Sequence, residues 1–557
     1  MKSWGKRQLA TIIFTIIFGL VPVDLAWSVE PPSTETVGDA GPAPINNPGR
    51  AAASLRRFTP ETLGRATQFG ENPEPFKIGW SIVPGLTIRE TFTDNVFLTP
   101  SREKADLVTE ISPRIRIYAN QRRLSFLLDY TLQNLIYAGN NDQTTYFHQL
   151  FSAGSAELSK QLLFLDASAS ITQQNLTTTG RGAFTNFGSG TFLGGVGDNV
   201  NITGERQDVL TYSLSPYLVH SFSDIADVKL RFSYDEVRAL SGQNTTSQAT
   251  ATDSHSMNYF ATVNSGSRFN RSPWSLAYSR REVNNNNNNN TDTTFEEVLG
   301  TLRLVYTPKL SLLGDVGYQR NQFRSAQGTR DDIIWDIGAR WAPSARTKLE
   351  ATYGQRFFGD RYSLDFTHQR RRLTWHLNYT EQQQLARQLQ IDQATLAQGG
   401  AIPILDPITK LPILAGGGIP RLSDEVFVTR RFSGGVVFDG ARNQFSLLGF
   451  HEQRAYQLSQ LDDRLFGLNG LWTRTLSPRT NFDLNVGWTS VDTSSGLTSG
   501  LTANQQDDLF NVGCGLRHRF GRRVNGNVEY RRVERSSSNP EADLTENRLM
   551  AAIILSF

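Results

Sequence analysis

The stretch that decides the reading is the last one, Leu549-Met550-Ala551-Ala552-Ile553-Ile554-Leu555-Ser556-Phe557. Read with a period of two, Leu549, Ala551, Ile553, Leu555 and Phe557 share one face, and Met550, Ala552, Ile554 and Ser556 share the other. That is the alternation of a strand rather than a helix. The same pattern recurs upstream. Leu373, Trp375, Leu377 and Tyr379 alternate with Thr374, His376 and Asn378. Phe482, Leu484, Val486 and Trp488 alternate with Asn481, Asp483, Asn485 and Gly487. Val228, Leu230, Phe232 and Tyr234 alternate with Lys229, Arg231, Ser233 and Asp235. From Trp80 onward there are about 22 such segments of roughly ten residues or more, the length a tilted membrane-crossing strand needs.

The connections between the segments point the same way. Short turns follow Ile117, Tyr306, Trp341, Leu476 and Phe520, and long polar loops lie between them, among them 174–208, 241–256, 283–294, 382–424, 491–507 and 534–545. A strict short–long alternation sends all short turns to one side of a layer and all long loops to the other. It places both termini on the short-turn side and requires an even strand number. The expected fold is therefore all-β: a transmembrane, antiparallel, up-and-down β-barrel of about 22 strands (range roughly 16–24). The last strand should close against the first near Ile82–Phe92, because lipid cannot satisfy the open edge of a sheet. A soluble propeller would show a repeated blade motif about 40 residues long, and none is present.

Bulk composition agrees. The chain has 557 residues and 38% hydrophobic residues, with a mean hydropathy of −0.37, which excludes a bundle of membrane helices. The net charge of +3 is small for this length and argues against a nucleic-acid partner. Residues 1–28 have the form of a secretory signal peptide: Lys2, Lys6 and Arg7, then apolar Leu9–Leu20, then Ala26-Trp27-Ser28. Residues 29–76, rich in Pro, Gly and Ala, read as a periplasmic linker, and 77–557 as the barrel. The expected location is the bacterial outer membrane, with outer-membrane lipid as the first partner.

Chemical motifs are sparse. Cys514 is the single cysteine, so no intrachain disulfide is possible. It shares an apolar face with Phe510, Val512 and Leu516. The seven histidines show no metal-ligand spacing. No GxSxG elbow is present to support a barrel hydrolase, the least favoured reading. The Gly188–Gly197 segment precedes no helix and so is no phosphate cradle, and Asn284–Asn290 is low-complexity. No catalytic, cofactor-binding or metal-binding residue is assigned, and no cofactor is expected.

The informative groups are charges on the polar faces. If the apolar faces meet lipid, then Arg114, Arg116, Arg231, Arg281, Arg303, Arg340, Arg372, Arg517, Arg519, Arg523 and Arg531 line the lumen. Asp235, Asp315, Asp336, Glu350, Asp365, Asp483 and Glu529 do so too. Turning such an arginine to lipid at mid-membrane would cost about 2–4 kcal/mol. Two readings follow: a mixed-charge network that braces the wall, or an arginine-biased lumen suited to anionic or polyhydroxylated solutes. Residues 29–76 are too short and proline-rich to form a folded plug, so either the long loops 174–208 and 382–424 fold into a barrel this wide or the channel is open.

The start of the barrel carries a further signal. Gly79–Leu98 (GWSIVPGLTIRETFTDNVFL) contains Trp80, Pro84, Glu90-Thr91 and Thr93-Asp94-Asn95-Val96, and is followed by Asp106 and Ile111-Ser112-Pro113. This stretch of about 40 residues resembles the PEP-CTERM/exosortase system-associated outer-membrane barrel proteins. It also looks like the broader group of β-barrel porins. The resemblance implies a non-enzymatic barrel that serves exopolysaccharide production or export, with export components as partners. The terminal alternation Leu549, Ala551, Ile553, Leu555 and Phe557 likewise resembles the C-terminal signal read by the barrel-assembly machinery. The alternative is a structural or assembly barrel with a sealed lumen, whose linker docks a periplasmic partner.

Overall fold

The computed structural model describes residues 79–175, 199–203, 206–240, 253–285, 292–326, 328, 330–385, 387, 425–494 and 505–557. The expected signal peptide and linker, Gly188–Gly197 and Asn286–Asn290 lie outside the described residues, as do 388–424 within the longest loop.

Alternating sequences of this length have one low-energy solution in a membrane, a closed sheet. The strands are β1 (Gly79–Thr93), β2 (Asp106–Gln121), β3 (Leu124–Tyr137), β4 (Thr145–Ser159), β5 (Leu163–Asn175) and β6 (Arg206–Phe222). They continue as β7 (Ala226–Leu240), β8 (Ser254–Ser265), β9 (Trp274–Asn285), β10 (Thr293–Thr307), β11 (Leu310–Gln322) and β12 (Arg330–Ser344). Next come β13 (Thr347–Arg356), β14 (Gly359–Gln369), β15 (Leu373–Leu385), β16 (Val426–Asp439) and β17 (Asn443–Tyr456). The last are β18 (Asp462–Ser477), β19 (Thr480–Thr493), β20 (Gln505–Arg519), β21 (Val524–Ser537) and β22 (Leu544–Ser556). Each pairs antiparallel with its sequence neighbour, and β22 pairs with β1 to complete a 22-stranded barrel.

The closing register runs from Gly85 opposite Ser556 to Thr93 opposite Arg548. One further bond extends it, from the Phe557 amide to the Pro84 carbonyl at 2.9 Å. The terminal stretch quoted above is thus the strand that removes the sheet's last edge. Leu549, Ala551 and Ile553 point outward, and Met550 and Ala552 are buried inside. Phe557 itself is exposed.

The outside is apolar and banded. Large exposed hydrophobic side chains such as Ile88, Leu302 and Val316 alternate with buried polar ones such as Arg89 and Arg303. Trp80, Phe222, Tyr306, Trp341, Phe520 and Phe557 project at the short-turn end, while Tyr146, Tyr318 and Tyr362 project near the long-loop end. Two aromatic girdles at the two interfaces of a lipid layer have this form.

The alternation of connections is less strict than the sequence suggests. The β13–β14 link, on the long-loop side, is only Phe357-Phe358, whereas the β8–β9 link on the short-turn side runs from Gly266 to Pro273. Gly359, at φ +108°, lets the chain reverse after Phe358. β13 and β14 are the two shortest strands, so the wall is low at this place.

Candidate functional site

The candidate site is the lumen, and it is not empty space. Three elements enter it from the long-loop end. The first is the β1–β2 loop, 94–105. Its Val96 packs with Val108, Leu135 and Tyr137 on the inner face of β2–β3, and its Leu98 packs with Leu465, Val491, Leu509, Val533 and Leu544 across β18–β22. The second is the segment 199–203. Val200 joins the same cluster as Val96 and accepts the Tyr137 hydroxyl at 2.8 Å, and the Ile202 amide bonds to the Val96 carbonyl at 2.9 Å. The third is the end of β15, just past which Arg387 donates to Ser254 Oγ at 2.7 Å and Ser256 Oγ at 3.0 Å on β8. Burial pushes the Arg387 guanidinium down to about 10, which leaves it charged at neutral pH.

The Thr93-Asp94-Asn95-Val96 motif has a structural role here. Thr93 donates to Glu546 at 2.6 Å, and Asn95 donates to the carbonyls of Thr99 (2.8 Å) and Thr545 (3.1 Å). Asp94 accepts both the amide and the side chain of Asn547, at 2.8 and 2.7 Å. Asn201 donates to Glu546 at 2.8 Å and accepts from Arg548 at 2.5 Å. The motif therefore locks the closing seam and the inserted loops to one another. Asp106, in the second part of the resemblance, accepts from Gly139 and Asn140 and holds the next loop.

Below the loops, the wall carries a ladder of ion pairs. Asp129 takes both Arg114 and Arg116, the latter at 2.9 Å. Arg231 pairs with Asp166 at 2.6 Å, and Arg517 grips Asp483 with two bonds of 2.7 and 2.8 Å. Arg281 donates to Asn258 at 2.9 Å. Arg303 and Arg531 are buried, and Arg340 lies opposite Glu350 on the inner face. Arg519 sits at the inner end of β20. Arg372 and Arg523, expected in the lumen, instead occupy exposed turns at the short-turn end. There the strand has ended and the two-residue period no longer sets direction.

Of a further set of deeply buried charges, sequence reading found only Asp336. Arg89–Glu110 (2.9 Å), Arg454–Glu452 (2.6 Å), Arg535–Asp507 (3.1 Å), Arg548–Glu546 (2.8 Å) and Arg361–Asp336 (3.0 Å) are all nearly excluded from water. Arg356 also holds Asp336. Each lies on the inward parity of its strand, so extending the alternation to the strand ends would have found the others. Burial of unpaired charge at these depths would be strongly destabilising, so the pairing is obligatory.

Between the ion pairs the interior is lined with amides. Gln149 and Asn199 donate to Gln133 at 3.0 and 2.7 Å, and Asn511, Asn485 and Asn469 form a chain with bonds of 2.8 and 3.1 Å. Several buried amide atoms, among them Gln133 Nε2, Gln319 Oε1, Asn321 Nδ2 and Asn527 Oδ1, have no partner among the described residues. The histidines make scattered pairwise contacts: His148 meets the Tyr130 hydroxyl, His368, His376 and His518 meet threonine hydroxyls, and His255 meets the Asn284 amide. Among the described residues no group of three His, Cys, Asp or Glu side chains could hold a metal ion.

A closed barrel, apolar outside, girdled by aromatics and charged within, is suited only to a membrane. The protein is an outer-membrane β-barrel.

No protein-family model and no curated protein matches the chain. Among solved structures it is similar to a variant of the ferric enterobactin receptor of Pseudomonas aeruginosa, at 10% identity and a TM-score of 0.48, covering 86% of this chain and 81% of that one. It is also similar to the siderophore receptor PirA of Acinetobacter baumannii (7% identity, TM-score 0.49, 86% and 81% covered). A third is the FrpB iron transporter of Neisseria meningitidis (9% identity, TM-score 0.49, 89% and 84% covered).

Proposed function

We propose that the protein is a gated, non-enzymatic outer-membrane channel for a polyhydroxylated solute, a saccharide chain, whose lumen is stoppered by its own loops. The observation that carries this reading is the interior lining: neutralised ion pairs interleaved with amides that keep unused donors and acceptors. Arginine charge held by carboxylates gives little net field, which argues against a simple anion pore. Amides and guanidinium–carboxylate pairs present donors and acceptors side by side, and sugar hydroxyls need both. The resemblance at Gly79–Pro113 supports a place in exopolysaccharide export. The terminal strand supports insertion by the barrel-assembly machinery.

The test is conductance of the refolded protein in a planar bilayer. Wild type should be closed most of the time. Replacing Asn199 by Ala removes its bonds to Gln133 and Gln173 and loosens the second inserted segment without touching an ion pair. The openings should then be longer and larger, and blocked by millimolar maltohexaose with little dependence on salt. A barrel that stays silent in both forms would favour the second reading, a sealed scaffold. Large openings that maltohexaose does not block would overturn the saccharide assignment.

A further inference from the structure

The β14–β15 seam differs from its neighbours. Only Leu364–Gln369 of β14 pair with Thr374–Tyr379 of β15. Above that point β14 pairs with β13 alone and β15 with β16 alone, which continue to Gly359 and Leu385 respectively. Where the ladder would continue, the Glu381 carboxylate takes the Tyr362 amide at 3.3 Å, and Arg361 reaches the Glu381 carbonyl at 3.3 Å.

Released from β14, the top of the β15–β16 hairpin leans into the lumen, and its outer face changes surroundings along its length. Tyr379 and Phe432, opposite each other, line an apolar groove of about 960 Å³ on the lipid-facing wall, together with Leu312, Ile337, Tyr353 and Leu364. One step up, Glu381 lies opposite Arg430, at 3.7 Å. Two steps further, Leu385 and Val426 on that same face are buried against Val283, Phe295, Phe323 and Phe357, which face the interior from β9–β11 and the low wall. One continuous strand face thus runs from the lipid wall to an apolar patch inside an otherwise polar lumen. The Glu381–Arg430 pair and the Gln383 amide, which lies opposite Val428, interrupt it, and the Arg430 side chain is still 45% exposed. Over the notch lies a strap, Phe323–Ala326. It is latched to the β17–β18 loop by Ala326 N–H and Ser325 Oγ, both donating to the Gln457 carbonyl at 2.9 and 3.3 Å.

We propose that this seam is a lateral portal that admits the acyl chain of an anionic-headed lipid or lipid-linked molecule from the outer leaflet, with the head group at Arg430 and the strap as its lid. The occupant follows from continuity: the groove opens onto lipid, both ends of the path are apolar, and the exposed charge on the path itself, Arg430, is cationic, whereas the exposed Asp360 carboxylate lies off the path and accepts from Tyr353 at 3.4 Å. The inference stands independently of the saccharide reading.

The experiment uses the full barrel in vesicles containing phosphatidylglycerol with a photoactivatable diazirine at the end of one acyl chain. Cross-linked residues are mapped by mass spectrometry. Leu364 and Phe432 on the wall should label, and so should Leu385 and Phe357 inside. A Ser325→Cys, Gln457→Cys pair in a Cys514→Ala background should lower interior labelling at least ~10-fold when oxidised, and reductant should restore it. Val428→Trp, which fills the path above Arg430, should do the same without any disulfide. Wall labelling should be unchanged in both. Labelling confined to the wall in wild type would overturn the proposal and reduce the interior cluster to packing of the hairpin. So would interior labelling that both variants leave intact.

Discussion

Two seams of this barrel can be set side by side. At the β22–β1 seam, strands far apart in the chain are paired from Gly85 to Thr93, and Asp94, Asn95 and Asn201 add side-chain bonds above the last pair. At the β14–β15 seam, strands adjacent in the chain lose their ladder above Leu364 and Tyr379. The seam that costs most loop-closure entropy to form is the more heavily bonded one. The seam that forms most easily by local pairing is the one left partly open. Closure is where failure would expose a lipid-facing edge, so its reinforcement is what bilayer physics demands. A short interruption near the outer girdle, at Tyr353 and Tyr362, exposes little backbone to hydrocarbon and can be tolerated.

Substitutions should separate the two seams. Glu546→Ala leaves buried Arg548 without its 2.8 Å partner and frees Thr93 and Asn201. The expected loss is about 3–5 kcal/mol, read as a shift in the urea midpoint of the folded barrel on semi-native gels. Asp94→Ala removes two bonds to Asn547 and should cost about 1–3 kcal/mol by the same measurement. Glu381→Gln keeps one oxygen where the carboxylate has two, so it cannot accept both the Tyr379 hydroxyl and the Tyr362 amide as now, and it loses the long contact with Arg430. It should cost about 1–2 kcal/mol. A larger effect at Glu381 than at Glu546 would reverse the ranking of the seams.

The period-two reading reached the fold because lipid outside and charge inside impose it on every crossing. Leu549, Ala551 and Ile553 could be placed from their alternation alone. It located the inward faces that carry Arg114, Arg231, Arg517 and Asp483, but it did not find Asp129 and Asp166 and could not pair any arginine with its acid, because partners sit on other strands at separations set by register. It erred at Arg372 and Arg523, where parity was carried past a strand end. Loops 174–208 and 382–424 could be named as candidates to fold inward, but whether they do so, and the part played by 94–105, were not legible. The seating of Val96, Leu98 and Val200 depends on partners up to hundreds of residues away, and a polar loop has the same composition whether it stands in water or folds inward. The break at β14–β15 left a faint trace in the two-residue Phe357-Phe358 link, too short for the side on which it falls.

The measurement that bears most directly on the contrast is hydrogen exchange of the barrel in lipid vesicles, read by mass spectrometry. Peptides covering 359–363 and 380–385 should exchange at least ~10-fold faster than those covering 85–93 and 548–556, since exchange follows the local cost of opening. Equal protection at the two seams would contradict the account.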